Sequence, residues 1–406
     1  MNGSRRVRAS ASGDGRRPFL LLPLLPLLLG VGACGNGPGG NILIGLAGPM
    51  GQGSGRSMRQ AAEMAVAEIN QAGGIDGATI GLVVKDDGAD PEQGIAVAAE
   101  LRDDARVVAV VGHINSSVTL AAARIYNDPV NPVVELSPAS SSPEITPAGP
   151  WTFRVCPTDL QHGPALAAWA IERLDADRAT VLYANDAYGR GVLASFARAF
   201  QNAGGALTAP NPYLPDMLGT GEEIQPYLRR AMRRGTEALM IAGQAEAGLK
   251  IIEQARALGY TGPVLGADGM TGLRDMGESA EGTYISSAFL PDRPTPEARA
   301  FVQAYQRRFE QAPDHRAAMT YDAILLLARA IEEVGADRAA IRDYLDRVGD
   351  EEPAFDGASG TIAFDENGDV AGKEVTIGVI RDGNLVTATG QESTAGADSA
   401  AVAVME

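Results

Sequence analysis

Short apolar runs alternate with amphipathic helical stretches along the chain from Asn41 onward. Short apolar runs are typical of buried strands, whereas apolar positions three and four residues apart indicate helices. The first part of the chain is predicted to form strands at 42–47, 79–84, 107–111 and 132–136, and helices at 56–71, 91–103 and 117–126. This alternation requires a parallel sheet with helices on both faces.

The same pattern restarts after a predicted strand at 151–155. The second series is predicted to comprise helices at 163–174, 189–202, 222–234 and 247–258, and strands at 179–183, 238–241 and 264–265. The last part is predicted to hold helices at 296–310 and 317–334, and strands at 360–364, 374–380 and 385–387. We therefore predict an α/β fold of two lobes, each built on a doubly wound parallel sheet, between which the chain crosses more than once. A cleft between such lobes is the natural place for a ligand.

The N-terminal segment has the pattern of an export signal. Five arginines precede an apolar stretch at 19–31, which is too short and too interrupted by proline to span a membrane. The stretch ends in Gly32-Ala33-Cys34, which resembles the bacterial lipobox, a motif cleaved before a cysteine that carries lipid. We interpret 1–33 as a signal peptide, Cys34 as the lipidation site and 34–40 as a flexible tether. Ordinary cleavage next to an incidental cysteine is the alternative.

The sequence leaves the export route open but indicates the compartment. Arg16-Arg17 looks like a twin-arginine signal, and it is equally compatible with a basic segment that precedes a Sec-type apolar core. The working protein is expected outside the cytoplasm, anchored to the membrane by a lipid on Cys34. Cys156 is expected to be a buried small hydrophobe. Residues 391–406 are small and polar and are predicted to form a disordered tail.

Length and charge narrow the class of protein further. A chain of 406 residues exceeds the usual size of a single core, which favours two domains. The formal charge is −17, and because residues 1–33 carry a net +4, the remainder has about −21. An acidic surface repels phosphate backbones, so nucleic-acid binding is disfavoured.

Catalytic machinery is difficult to assemble from this sequence. The glycine-rich stretch at 45–55 suggests a dinucleotide fingerprint, but Arg56 stands where its third glycine is needed. The histidines His113, His162 and His315 lack metal-binding spacing, and the acidic turn at 365–369 lacks the glycine of a calcium loop. We therefore expect a protein that is not an enzyme and that has no metal or cofactor.

Polar residues that follow the predicted strands are candidates for ligand binding. Ser116 occupies an N-cap position after the third strand, where free N–H groups favour a carboxylate; a simple cap is the alternative. Ser137–Ser142 places several hydroxyls at the carboxyl edge of the sheet, where open α/β sheets bind ligands, although a surface turn would look the same. Asp268 follows a strand in the second lobe and supplies a carboxylate at the facing edge, although taken alone the stretch reads as an ordinary turn.

A series of short motifs between Asn41 and Thr387 indicates a particular protein family. They are Gly48-Pro49, 65–77, 86–91, Gly112-His113, 137–146, Tyr188-Gly189 and 277–282. On these stretches the chain resembles the periplasmic leucine/isoleucine/valine-binding proteins, which have the type I periplasmic-binding fold and serve branched-chain amino acid ABC transporters. Each motif is weak alone, and their shared order carries the resemblance.

The resemblance implies roles for particular residues. Ser116, Ala139 and Ser141 match the positions that hold the ligand's α-carboxylate in the family, and Ser140 lies in the same run of hydroxyls. The carbonyl of Ala139 and the side chain of Asp268 match the positions that hold the ammonium group. Donors at one end and an anion at the other are what a zwitterion requires.

The chain also departs from the family pattern. Asp268 replaces a glutamate, Gln244 replaces a tyrosine of the pocket, and Gly53 stands where another aromatic residue is expected; Tyr188 remains as a pocket wall. The disulfide pair of the leucine-binding relatives is absent, with Ala89 and Asn115 at the matching positions. Fewer aromatic residues and an added amide favour a polar or amide-bearing ligand over leucine.

The resemblance also implies an architecture and a mechanism. Lobe 1 is expected to comprise 41–157 and 288–359, and lobe 2 to comprise 158–287 and 360–390. We expect a monomer that closes about a hinge on an amino acid or a related amide and delivers it to an ABC permease. A sensor module of the same fold, acting with a receptor or kinase, is the alternative, and it would need a signalling element that this chain lacks.

Overall fold

The computed structural model describes residues 41–389, apart from Ala209 and Asp275. The predicted signal peptide (1–33), the tether (34–40) with its lipidation site Cys34, and the predicted disordered tail (391–406) all lie outside the described residues. Within the described residues, no helix combines the length and the apolar character that crossing a membrane requires.

The first sheet is entirely parallel, with strand order β2-β1-β3-β4-β5. Its strands are β1 (Ile42–Gly48), β2 (Ile80–Asp86), β3 (Val107–Val111), β4 (Val134–Ser137) and β5 (Thr152–Arg154). Its connecting helices are α1 (Gly53–Gln71), α2 (Pro91–Asp103) and α3 (Ser116–Tyr126). Every residue of β3 is buried, because helices cover both faces of the sheet.

The second sheet has strand order β15-β14-β11-β10-β9-β6-β7, and β8 pairs with β6. Its strands are β6 (Arg178–Ala184), β7 (Ala206–Leu207), β8 (Asn211–Tyr213), β9 (Ala238–Ala242), β10 (Val264–Gly266), β11 (Thr283–Ser287), β14 (Thr376–Arg381) and β15 (Asn384–Thr387). The helices of this part are α4 (Asp159–Glu172), α5 (Ala187–Asn202), α6 (Gln225–Arg233) and α7 (Ala245–Ala257). The predicted parallel sheet is confirmed, and β14 and β15 add an antiparallel edge.

After β11 the chain returns to the first sheet. It forms α8 (Pro296–Phe309), α9 (His315–Val334) and α10 (Arg338–Leu345), and then a hairpin of β12 (Phe355–Gly357) and β13 (Gly360–Ile362). Ile324 and Leu327 of α9 share one hydrophobic core with Ile44 and Leu46 of β1. The chain then crosses back to add β14 and β15 to the second sheet.

Several helices begin earlier than the apolar pattern predicts, and in α4 and α9 polar caps fix the first turns. The sequence predicts the start of α4 at residue 163, but Thr158 and Gln161 form a capping box that starts it at Asp159. For α9 the prediction is residue 317, but the side chain of Asp314 accepts a hydrogen bond from the Ala317 amide at 2.8 Å. His315 and Arg316 therefore belong to the first turn of α9.

The predicted helix at 222–234 is divided in two. Glu222–Ile224 forms a 3₁₀ turn, and α6 follows from Gln225. Pro226 occupies the first turn of α6, where proline's missing N–H is tolerated. The apolar pattern did not predict α10, β11 or the short strands β7, β8 and β12.

Candidate functional site

Loops at the carboxyl ends of strands from both sheets meet at one place. The Ala187 amide of α5 donates to the Ser117 hydroxyl of α3 at 3.2 Å. On the other side, the Thr271 hydroxyl lies 3.0 Å from His315 Nδ1 at the start of α9. The ligand sites of open α/β sheets lie at this edge.

A small inner cavity of about 10 Å³ lies where these loops meet. Its lining residues come from both sheets and from α9: Ile114, Ser116, Ala139, Tyr188, Gln244, Asp268, Gly269 and Arg316. An outer cavity of about 460 Å³ shares Ile114, Gln244, Gly269 and Arg316 with it, and Gly53 also lines this outer cavity. The structure thus brings five of the seven predicted ligand residues around one space.

One wall of the inner cavity is the start of α3. Ser116 is the first helical residue and Asn115 is the N-cap, which corrects the predicted cap position. The extended backbone of Asn115 (φ −104°, ψ 124°) makes it the residue before the first turn, so the helix begins one residue earlier than predicted. The first amide to donate within the helix is that of Val118, to the Asn115 carbonyl at 2.9 Å, so the amides of Ser116 and Ser117 precede the helical ladder. This wall can therefore offer N–H donors and the positive end of a helix.

The loop at 138–142 after β4, here called the serine loop, supports that wall. The Ser116 hydroxyl accepts from the Ser142 amide at 3.2 Å. Ser140 is fully buried outside the cavity lining, and its hydroxyl pairs with the Thr119 hydroxyl at 2.7 Å. Ser141 is also fully buried, and its carbonyl accepts from the Asp159 amide at 2.8 Å, which joins the loop to the start of α4.

A buried ion pair also holds the serine loop in place. Arg154 of β5 is fully buried and donates from Nε and Nη2 to the two carboxylate oxygens of Asp369, at 2.5 and 2.8 Å. Its Nη1 donates to the carbonyls of Ser140 and Ser142, at 3.2 and 2.7 Å. The turn predicted at 365–369 thus helps to position the serine loop through Asp369.

Asp268 forms the facing wall and is an anion at neutral pH. It is 4% exposed, and its Oδ1 accepts from the Tyr188 hydroxyl at 2.8 Å. Burial acts to raise the pKa of Asp268, but His162, His315, Arg316 and the Tyr188 hydroxyl together hold that pKa below its usual value. The other oxygen, Oδ2, lies 3.8 Å from His162 Nε2.

Burial shifts the pKa of the titratable groups next to Asp268 towards their neutral forms. Burial lowers the pKa of His162, and burial with the charge of Arg316 lowers the pKa of His315 to about 4. Asp159 is buried near Asp268, and burial followed by the Asp268 charge raises its pKa well above the usual value. Asp268 and Arg316 are the charged side chains that line the inner cavity.

Comparison with known proteins assigns the chain to a family. A family model described as periplasmic binding protein matches residues 42–384. The chain belongs to the periplasmic binding protein family. A relative from Brucella suis, the Leu/Ile/Val-binding protein homolog 1, is 29% identical over 78% of this chain and 83% of its own length.

Solved structures of similar proteins support the same family and fold. A leucine binding protein from Thermotoga maritima has a TM-score of 0.78 at 29% identity, covering 86% of this chain and 97% of its own. An ABC transporter substrate-binding protein from Desulfitobacterium hafniense in complex with Leu has a TM-score of 0.75 at 30% identity, covering 86% and 100%. The predicted family and the type I periplasmic-binding fold are confirmed.

Sequence reasoning missed Arg316 in this periplasmic binding protein. The side chain is 6% exposed and lines both cavities. Its Nη2 donates to Gln244 Oε1 at 3.2 Å, and its Nη1 donates to the Thr271 hydroxyl at 3.3 Å. The available signal was the cap residue Asp314, which would have placed Arg316 in a helical first turn at the edge of the cleft.

Proposed function

We propose that this periplasmic binding protein captures an amino acid between its two sheets and delivers it to an ABC transporter permease. The observation that carries the proposal is the arrangement of Ser116 and Asp268, which line one cavity from different sheets. A zwitterion needs donors at one end and an anion at the other. Each charge-assisted hydrogen bond of this kind contributes about 1.5–3 kcal/mol.

In this proposal the α-carboxylate binds the Ser116 hydroxyl and the amides at the start of α3. It also binds the backbone of Ala139 and the hydroxyl of Ser141. The ammonium group binds Asp268 Oδ2 and the Ala139 carbonyl. Tyr188 forms part of the wall, and Ser140 acts indirectly by holding the serine loop. The names of the Brucella relative and of the leucine complex support an amino-acid ligand.

Capture takes place by hinge closure in this proposal. The two lobes are 41–157 with 288–359 and 158–287 with 360–390, and the contacts of Ser117 with Ala187 and of Thr271 with His315 join them in the closed form. The ligand stabilises that form because only there does it touch both walls. We propose that the protein works as an exported monomer, without enzymatic activity or a cofactor, and that a lipid on Cys34 anchors it to the membrane.

A thermal-shift panel of amino acids, amides and short peptides tests the proposal directly. Bound ligand stabilises the folded state by mass action, so a true ligand raises the melting temperature with concentration. If no member of the panel does so, the proposed ligand class is wrong.

The variant Asp268→Ala tests the assignment of the ammonium site. We expect its affinity for amino acids to fall by about 10- to 100-fold, because one charge-assisted contact is lost, while a deaminated analogue of the same ligand loses nothing. Calorimetry measures both ligands, with Asp216→Ala as a control that removes an exposed carboxylate. Equal losses for both ligands, or none, would exclude Asp268 from the ammonium site.

A further inference from the structure

Arg316 is a buried cation without a carboxylate partner. Among the residues that the structure describes, no carboxylate oxygen lies within 4.0 Å of its guanidinium nitrogens. Its two hydrogen bonds, to Gln244 and Thr271, are long at 3.2 and 3.3 Å, and both acceptors are neutral. Its Nε is buried and has no hydrogen-bond partner within the described part of the chain. The carboxylates of Asp268 and Asp314 act on this charge through space and without contact, so the guanidinium keeps free donors that a bound anion could use.

The guanidinium retains the donors that such an anion needs. Arginine has five N–H groups in a planar fork, and the two contacts in the structure use two of them. Planar carboxylates bind this fork through two parallel hydrogen bonds. Arg316 lines both the inner and the outer cavity, so a bound ligand can reach it.

Gln244 adds a second donor beside Arg316. Arginine has no acceptor, so the Gln244 atom that faces it must be the side-chain oxygen, which leaves the amide NH₂ as the group that can face a ligand. Gln244 also lines both cavities. The pair thus presents only donors to the ligand, which is the pattern that a carboxylate requires.

The proposed amino-acid site does not use these donors. The α-carboxylate is assigned to Ser116 and the start of α3, and the ammonium group to Asp268. Arg316 is the second charged side chain that lines the inner cavity, beside Asp268, and an aliphatic side chain such as that of leucine would leave its free donors without a partner.

We propose that the ligand is an amino acid whose side chain ends in a carboxylate, and that Arg316 and Gln244 bind this second carboxylate. The inference rests on the proposed function, because it adds a specificity-determining contact to that site. Arg316 then separates acidic amino acids from the neutral ones of the same shape.

Calorimetry of the protein with L-glutamate, L-aspartate, L-glutamine and L-leucine tests the inference. We expect one of the two acidic amino acids to bind at least about 10-fold more tightly than either neutral one, because it alone pairs the buried guanidinium. In Arg316→Gln its affinity should fall by about 10- to 100-fold, with little change for the neutral ligands. Arg329→Gln, on the same helix and away from both cavities, is the matched control and should change none of the affinities. Arg316→Lys keeps the charge without the fork and should give an intermediate loss for the acidic ligand.

The outcomes separate this inference from the proposed function. Binding of leucine or glutamine at least as tightly as the acidic amino acids overturns the inference and leaves the amino-acid site in place. Equal weakening of all four ligands in Arg316→Gln also overturns it, because Arg316 would then hold the shared α-carboxylate. If none of the four binds and the wider panel also fails, the proposed function fails and the inference fails with it.

Discussion

Removal of the negative charge at Asp369 should destabilise the protein strongly although this residue lies outside the ligand cavities. In Asp369→Asn, the fully buried guanidinium of Arg154 loses its only charged partner among the described residues. Breaking one side of a buried ion pair costs about 3–5 kcal/mol, because the remaining charge is left uncompensated. The remaining hydrogen bonds of Arg154 go to neutral groups, the carbonyls of Ser140 and Ser142 and the Thr146 hydroxyl.

The same substitution should also weaken ligand binding. The Arg154 side chain joins Asp369 to the carbonyls of the serine loop, so a displaced guanidinium releases the loop that supports Ser116. We therefore expect a lower affinity as well as a lower stability, although Asp369 touches neither cavity.

Urea unfolding at neutral pH, followed by circular dichroism, measures the free energy of unfolding. For a folded part of this size, a loss of about 3–5 kcal/mol corresponds to a melting temperature lower by about 4–7 °C. Asp365→Asn is the control in the same turn: its side chain is exposed, and an amide oxygen can still accept from the Asn367 amide at 2.9 Å. A loss below about 1 kcal/mol in Asp369→Asn, or an equal loss in Asp365→Asn, would refute the reasoning.

Two further predictions concern pH and the lipid anchor. Burial and the charge of Arg316 lower the pKa of His315 to about 4, whereas the pKa is about 6.5 in the unfolded chain. Between pH 4 and pH 6.5 the unfolded chain therefore binds more protons at this residue than the folded chain does. The free energy of unfolding should therefore fall as the pH drops from 6.5 towards 4, and His315→Asn should flatten that fall; an unchanged slope in urea unfolding would contradict this. Labelling of producing cells with radioactive palmitate should mark the wild-type protein and leave Cys34→Ala unmarked, and an unmarked wild type would rule out the anchor.

The alternation of strands and helices, together with the family resemblance, predicted which residues of both sheets line the inner cavity in five of seven cases. Ser116 and Asp268 both follow strands, and because the carboxyl ends of the two sheets meet, residues 152 positions apart line one cavity. The pattern could not place Arg316, since apolar periodicity in α9 begins at Ala317 and only the Asp314 cap extends the helix back. It also could not show the Arg154–Asp369 pair, because a contact between residues so distant in the sequence leaves no local pattern.

The return of α9 and α10 to the first sheet has a consequence for the order of folding. One face of β1, with Ile44 and Leu46, packs in the same core as Ile324, Leu327 and Leu345. Until residues 315–345 have been synthesised, that apolar face lacks the cover that α9 and α10 provide, and its burial is the main term that stabilises a domain. We therefore expect that the N-terminal half of the chain does not fold stably before these two helices are present.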